Sequence, residues 1–113
     1  MASRYELKKS INGQYFFTLH AENGEKMLTS ETYTTKAAAQ NGIQSVRENA
    51  PYDNRYDRRV STRNQYYFTL KSINGQVIGT SEEYATVAGR ENGIQTVKRI
   101  APSAPVQDLT GGF

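Results

Sequence analysis

The chain repeats itself. A shift of 51 positions, which places Asn23 on Asn74, aligns residues 14–51 with residues 65–102 without a gap, and about half of the aligned positions are identical. Such self-similarity is typical of two copies of one supersecondary unit. Because about 50 residues is near the lower limit for an independent hydrophobic core, we predict that the copies share one core. We expect a single domain over 1–113, with repeats at 1–54 and 55–109 and a flexible tail at 110–113.

A second match competes with this register. Residues 9–14 read Lys-Ser-Ile-Asn-Gly-Gln and recur letter for letter as residues 71–76, at a shift of 62, but the similarity stops on either side. Asn-Gly favours tight hairpin turns in which both central residues have φ > 0. We therefore interpret the shared hexapeptide as similar local geometry in two hairpins that are not equivalent in the repeat.

Short alternating segments, separated by Asn-Gly and Arg-Asn pairs, predict three strands in each copy. They cover 4–9, 15–21 and 26–30 in the first copy and 55–60, 66–71 and 76–81 in the second. The apolar spacing then changes to that of an amphipathic helix. Each helix is expected to begin after an N-cap threonine, Thr35 or Thr86, and to end at Pro51 or Pro102. A short last strand is predicted at 106–109.

Asn41-Gly42 and Asn92-Gly93 interrupt both predicted helices with residues that favour turns. A glycine inside a helix costs up to about 1 kcal/mol relative to alanine. We nevertheless favour helices, because the apolar spacing continues through both glycines. A missing Cβ at these positions allows each helix to lie close to the sheet.

Strand alternation separates two faces of the sheet. The predicted core face carries Tyr15, Phe17, Leu19, Tyr66, Phe68 and Leu70, covered by Ile43, Val46, Ile94 and Val97 of the helices. The opposite face stays open to water. It carries the candidate binding residues, which are Phe16, Thr18, His20, Arg59, Tyr67, Thr69 and Lys71.

The order of these motifs resembles that of a known family. A Tyr-aromatic-Phe strand, an Asn-Gly hairpin, a Thr-Ser-Glu strand end, a Tyr-x-Thr segment and a helix containing Asn-Gly-Ile occur twice, and together they resemble the bacterial YegP-like family of uncharacterised proteins. The resemblance implies an α+β fold of two tandem β3-α-β units. These units form one antiparallel sheet with exchanged C-terminal strands, two helices on one face and a pseudo-two-fold arrangement. The resemblance implies no activity and no catalytic residue.

The titratable residues do not suggest a catalytic or metal site. The chain has one histidine, His20, and no cysteine, which excludes disulfides and thiolate chemistry. We interpret His20 as a surface residue, because the sequence places no nucleophile or paired carboxylate near it. Glu82 and Glu83 are adjacent and point to opposite sides of an extended strand, so they do not form a metal site. We predict a protein that is not an enzyme and has no cofactor.

The charge balance is mildly basic. Fourteen Lys and Arg against eleven Asp and Glu give a formal charge of +3, and no apolar stretch is long enough for a membrane helix. We therefore expect a soluble cytoplasmic protein with no membrane partner, and a monomer because the duplication supplies both halves. Asp53 and Asp57 interleave with the cluster Arg55, Arg58, Arg59 and Arg63 and partly neutralise it.

Three functional interpretations remain open. The first is a small binding or interaction module of unknown ligand. The alternative is weak single-stranded nucleic-acid binding, because the open face mixes aromatic rings with cations. A protein partner on the open face or on an unpaired edge strand is the third.

Overall fold

The computed structural model describes residues 2–111. It has the α+β class and the two-repeat organisation that the sequence predicts, and most predicted element ends agree within one residue. The elements in chain order are β1 (Arg4–Lys9), β2 (Tyr15–His20), β3 (Lys26–Ser30), α1 (Lys36–Asn49), a 3-10 turn (Asp53–Arg55), β4 (Tyr56–Val60), β5 (Tyr66–Lys71), β6 (Val77–Thr80), α2 (Val87–Ile100) and β7 (Val106–Asp108). Residues 112 and 113 of the predicted tail lie outside the described residues.

The seven strands form one sheet in the order β4-β5-β6-β3-β2-β1-β7. Strands β3 and β6 join the two halves through the antiparallel pairs Thr29 with Thr80 and Ser30 with Gly79. The prediction of a wholly antiparallel sheet is wrong for the last strand, because β7 pairs in parallel with β1. Helix α2 carries the chain across the sheet before β7 begins, and such a crossover allows parallel pairing. The sheet is therefore mixed, and the end of the second repeat lies beside the start of the first.

Both helices pack on the predicted core face. Phe17, Leu19, Phe68 and Leu70 are fully buried in a single hydrophobic cluster that includes both helices. Tyr15 and Tyr66 were predicted for this core, but they are only partly buried. Each stands at the start of its strand, where it makes an isolated bridge with Tyr33 or Tyr84. The sequence analysis did not identify the other large core residues, which are Tyr5, Leu7, Met27, Leu28, Tyr56, Ile78 and Ile100.

The helices begin and pass through glycine as the sequence predicts. The hydroxyl oxygens of Thr35 and Thr86 accept hydrogen bonds from Ala38 N and Gly89 N, at 3.0 and 2.9 Å. A Cβ at Gly42 would lie 2.5 Å from the Tyr33 hydroxyl and 2.9 Å from Phe17 Cε2. The missing Cβ therefore makes room for the Tyr33 ring, which stacks on Phe17 with centroids 6.4 Å apart.

This close approach predicts a difference between two equivalent alanine substitutions. Gly42→Ala should lower the free energy of unfolding by about 1–3 kcal/mol, because the new methyl group overpacks against Tyr33 and the buried Phe17. Gly93→Ala should cost less, because the nearest atoms there all belong to Tyr84. Urea denaturation measures both values. An increase of about 1 kcal/mol in both variants, as helix propensity alone gives, would contradict the packing argument.

Two buried tyrosines connect the repeats. Tyr5 on β1 donates its hydroxyl to Ala101 O, and Tyr56 on β4 donates to Ala50 O, each at 2.7 Å. Ala50 and Ala101 are the C-caps of α1 and α2. Helix C-termini leave carbonyl groups without intrahelical partners. Each phenol therefore satisfies the helix end of the other half of the molecule.

The same tyrosines predict a loss of stability at alkaline pH. Burial raises the pKa of both phenols above the ordinary value. Their contribution is therefore complete below the unfolded phenol pKa, which is about 10, and it is lost as the pH rises further. Tyr56→Phe should cost about 1 kcal/mol at neutral pH and should make the decline above pH 10 shallower. Urea denaturation across this range measures it, with the exposed Tyr52→Phe as control. Equal slopes in all three proteins would refute the assignment.

Candidate functional site

A row of polar side chains crosses the uncovered face of the sheet. Strand pairing places one residue from each of β1 to β6 at the same level. Four threonines form the middle of the row and a carboxylate stands at each end. In spatial order the row is Glu6, Thr18, Thr29, Thr80, Thr69 and Asp57. The face is therefore polar along its centre, and its acidic ends were not part of the predicted site.

The seven candidate residues lie on this face in two separate groups. Phe16, Thr18 and His20 are on β2, whereas Tyr67, Thr69 and Lys71 are on β5 beside Arg59 of β4. The rings of Phe16 and Tyr67 stand on opposite sides of the threonine row. Three strand spacings and about four residues of rise separate them, which is roughly 20 Å. The structure therefore does not bring the two rings together.

Two of the candidate residues are closed to a ligand. Thr18 is 2% exposed and Thr69 is 8% exposed, because larger side chains flank both on the same strand. The Thr18 hydroxyl lies 2.8 Å from His20 Nε2, whereas the Thr69 hydroxyl has no hydrogen-bond partner within residues 2–111. The residue equivalent to His20 is Lys71, whose amino group contacts Asp57 at 3.2 Å instead. Both threonines are therefore structural residues of this face and do not contact a ligand bound on it.

His20 lies on the uncovered face as predicted, but the expectation that no carboxylate is near it is wrong. Its side chain is 11% exposed, and its Nε2 lies 3.5 Å from Glu6 Oε1. The sequence analysis missed this carboxylate because it comes from the neighbouring strand. The register of β1 against β2 sets Glu6 opposite Thr18, two residues from His20. Long-range strand pairing therefore creates a hydroxyl, imidazole and carboxylate cluster that no local pattern predicts.

The first of two equivalent charge clusters is centred on Glu6. Its carboxylate lies 2.7 Å from Arg4 Nη2 and 3.3 Å from Lys8 Nζ. Burial raises the pKa of Glu6, but hydrogen bonds from Lys8 and Arg4 outweigh that effect and lower it. Lys8 Nζ also lies 5.9 Å from the centre of the Phe16 ring. Each cation of this cluster therefore already has a carboxylate partner.

The second cluster is centred on Asp57. Its carboxylate lies 2.8 Å from Arg59 Nη1 and 3.2 Å from Lys71 Nζ. Hydrogen bonds from Lys71 and Arg59 hold the pKa of Asp57 below its ordinary value. At the edge of the sheet Arg58 contacts Asp53 at 3.0 Å and Glu91 at 2.9 Å. The predicted neutralisation of the arginine cluster is confirmed, and a helix residue adds to it.

Two kinds of feature are absent from residues 2–111. No three His, Cys, Asp or Glu side chains there are grouped so that they are able to hold a metal ion. No helix in that range has the length and apolar content to cross a membrane. The adjacent pair Glu82 and Glu83 diverges, since Glu82 lies 3.8 Å from Lys26 and Glu83 contacts Arg63.

The four hairpins all close through a three-residue loop. In the first, Gly13 N donates to Ser10 O and Ser10 N donates to Gln14 O, at 3.0 and 2.7 Å. This is the pattern of a type I turn followed by one residue with positive φ. Across residues 2–111 only Asn64 has positive φ apart from glycines, so the predicted turn with positive φ at Asn12 is wrong. The equivalent bonds occur in the hairpins at 21–25, 61–65 and 72–76.

The two copies of the shared hexapeptide lie at the same end of the sheet. Successive antiparallel pairings make β1 and β5 run in the same direction, and each copy follows one of these strands. The first loop residue is Ile11 in one hairpin and Ile73 in the other. Ile11 is fully exposed and Ile73 is 82% exposed. We call residues 10–14 and 72–76 the twin-hairpin surface, which the sequence analysis did not identify.

The comparisons with known proteins identify a family. The model of a domain of unknown function, DUF1508, matches the chain twice, at residues 10–57 and 61–108. The UPF0339 protein YegP of Escherichia coli K12 is 47% identical over 97% of this chain and 100% of its own length. A UPF0339 protein of Bordetella pertussis is 52% identical over 96% of this chain and 97% of its own. The resemblance to YegP-like proteins is confirmed.

Two solved structures are similar over nearly the whole chain. The solution NMR structure of the protein of unknown function yegP from Escherichia coli superimposes with a TM-score of 0.93 at 47% identity, covering 100% of this chain and 97% of that one. The solution NMR structure of a UPF0339 protein from Shewanella oneidensis gives a TM-score of 0.90 at 47% identity, covering 97% and 93%. The fold described above is therefore also that of experimentally determined relatives.

The unequal environments of the two buried threonines predict opposite effects of valine. Thr69→Val should raise the free energy of unfolding by up to about 1 kcal/mol, because it removes a buried hydroxyl that has no partner among the described residues. Thr18→Val should lower it by about 1 kcal/mol, because the bond to His20 is lost. Urea denaturation at neutral pH compares them. A loss of equal size in both variants would show that both hydroxyls are satisfied.

Proposed function

This chain belongs to the DUF1508 family, and we propose that it acts as a small non-enzymatic binding module whose ligand contacts the uncovered face of the sheet. The observation that carries the proposal is a pair of equivalent patches on that face. The first patch contains Glu6, Lys8, Phe16 and His20, and the second contains Asp57, Arg59, Tyr67 and Lys71. Each combines a half-buried aromatic ring, a carboxylate and at least one cation.

A pseudo-two-fold axis between β3 and β6 relates the two patches in this proposal. The shift of 51 positions that aligns the repeats takes Phe16 onto Tyr67 and Glu6 onto Asp57. Read outwards from the β3–β6 junction, the order β3-β2-β1 on one side corresponds to β6-β5-β4 on the other, and β7 is added beyond β1 only. A ligand that spans both patches therefore meets the same chemistry at two points about 20 Å apart.

The proposal that the module is not an enzyme rests on how little of the one candidate nucleophile a substrate is able to reach. Thr18 and His20 form the pair that most resembles a nucleophile with its base, at 2.8 Å. Thr18 is 2% exposed, so a substrate does not reach its hydroxyl without displacing the strand. A nucleophile has to contact the atom it attacks. Binding, rather than covalent chemistry, is what this face supports.

Single-stranded nucleic acid is the second candidate ligand. In its favour, each patch sets a cation beside an aromatic ring, as in the 5.9 Å approach of Lys8 to Phe16, and this combination stacks a base and contacts its phosphate. Against it, the cations already pair with Glu6 and Asp57. We therefore expect such binding to be weak and to disappear at moderate salt.

We also propose that the chain works as a monomer in the cytoplasm. The hydrophobic cluster already draws residues from both repeats, so no second copy is needed to complete it. The absence of cysteine is compatible with a reducing compartment. Sedimentation equilibrium tests the first part, and a stable dimer at micromolar concentration would refute it.

Isotope-edited NMR tests the binding face directly. We expect a panel of metabolites, peptides and single-stranded oligonucleotides to yield at least one ligand whose saturable shifts concentrate on the two patches. Phe16→Ala and Tyr67→Ala should each weaken that ligand about tenfold or more, since each removes one ring contact.

The matched control is Tyr52→Ala, which removes an exposed aromatic ring outside the sheet face. Its affinity should equal that of the unmodified chain. Saturable shifts confined to the helices, or equal weakening by Tyr52→Ala, would overturn the assignment of the face. Binding of oligonucleotides that resists moderate salt would instead favour the second candidate.

A further inference from the structure

The twin-hairpin surface pairs two loops that the repeat does not relate. The shift of 51 positions takes Ile11 to Thr62 and Glu22 to Ile73. The hairpins that carry Glu22 and Thr62 follow β2 and β4, which run opposite to β1 and β5. One end of the sheet therefore presents two isoleucines, and the other end presents a glutamate and a threonine at the same loop position.

The loop itself does not require isoleucine. All four loops make the same closing backbone bonds, with Thr62 or Glu22 at the position that Ile11 and Ile73 occupy. Within the twin loops the backbone is held by other residues, since Asn12 Oδ1 and Asn74 Oδ1 accept from the backbone N of Gln14 and Gln76 at 3.3 and 3.2 Å. Isoleucines as exposed as these bury little area in the folded chain, so they contribute little to its hydrophobic stability.

The two identical hairpin sequences are those that lie at the same end of the sheet, not those that the duplication makes equivalent. The match of residues 9–14 with 71–76 is complete, whereas the true repeat partners differ at most of these positions. Two loops at one end share all six residues, and both hold their apolar side chain away from the protein. The chemistry that they share is therefore directed at something outside the chain.

A local two-fold axis relates the twin loops. It runs parallel to the strands near β3, because in the strand order β5 and β6 lie on one side of β3 and β2 and β1 on the other. A rotation about this axis turns the sheet over, so equivalent residues of the two hairpins lie on opposite faces. Accordingly Lys9 lies on the helix side, with its Nζ 5.5 Å from the Tyr15 ring centre, and the equivalent Lys71 lies on the uncovered side beside Asp57.

We propose that the twin-hairpin surface docks onto a homodimeric protein, with Ile11 and Ile73 filling the same apolar pocket in each of its two subunits. A two-fold symmetric partner presents one pocket twice, related by the same kind of axis as the loops. Three strand spacings separate the hairpins, so the pockets lie about 14 Å apart. We expect the rims of these pockets to be largely uncharged, because the other residues of each loop are serine, asparagine, glycine and glutamine, and the nearest charge in the chain is the lysine that ends the preceding strand.

Other occupants fit this surface less well. Two hairpin tips bury less area than the roughly 1,000 Å² that stable interfaces need, so we expect a weak, transient contact with the partner and no stable self-association through these tips. A lipid surface requires no matching pair of loops, so the shared hexapeptide favours a protein partner. A protein pocket that surrounds each side chain gains the most from a protruding isoleucine.

Photocrosslinking in the host cell identifies the partner. Benzoylphenylalanine replaces Ile11 or Ile73 in the full chain, and Glu22 or Thr62 in the matched controls at the other end. Positions 11 and 73 should trap the same protein, and positions 22 and 62 should not. No trapped protein at 11 and 73, different proteins at the two positions, or trapping of a second copy of this chain would overturn the proposal.

Calorimetry with the purified partner then tests the symmetry. One chain should bind per partner dimer, and Ile11→Thr and Ile73→Glu should each weaken binding about tenfold or more. Thr62→Ile should leave the affinity unchanged. Circular dichroism should show unaltered folding in each variant, because these positions are exposed. A monomeric partner, or an unchanged affinity in either isoleucine variant, refutes the model. None of these residues belongs to the sheet patches, so this proposal and the sheet-face proposal fail independently.

Discussion

The fold depends on two contacts in which a tyrosine of one repeat binds the C-terminal end of the helix of the other repeat. Tyr5 reaches the last turn of α2 and Tyr56 reaches the last turn of α1, each through one buried hydrogen bond. Only two residue pairs join β3 to β6 and three join β7 to β1, so few strand pairs connect the halves within the sheet. The common core and the tyrosine bonds make each half a condition for the stability of the other. Where the halves meet, a Cβ at Gly79 would lie 2.9 Å from Leu28 Cγ, so the repeats have diverged to allow one leucine over the junction.

Local patterns in the sequence predicted much of this architecture. Residue alternation located the strands and the core face, and the threonine caps located the helix starts. The spacing of apolar residues through Gly42 predicted a close helix approach that the Tyr33 contact explains. These features depend on residues near one another in the chain, where side-chain periodicity and backbone preferences carry the information.

Features that depend on distant residues could not be predicted in the same way. The parallel pairing of β7 requires knowing where α2 delivers the chain. The contact between His20 and Glu6 depends on the register between two strands. The position of the twin hairpins at one end follows only from the antiparallel joining of β3 to β6. Alternation correctly placed the seven candidate residues on the uncovered face of the sheet. It did not predict that Glu6 and Asp57 neutralise the cations there, because those contacts depend on which residues of neighbouring strands lie side by side.

The parallel pairing of β1 and β7 also determines how the molecule bears tension. Residues 4–9 and 106–108 lie side by side and run in the same direction, so the two chain ends leave this pair in opposite directions. A pull between the ends is then directed along the strands, and it strains all the hydrogen bonds between them at once instead of opening them one at a time. The β1–β7 pair therefore bears the load. Unfolding under tension has to begin by shearing two strands that come from different repeats.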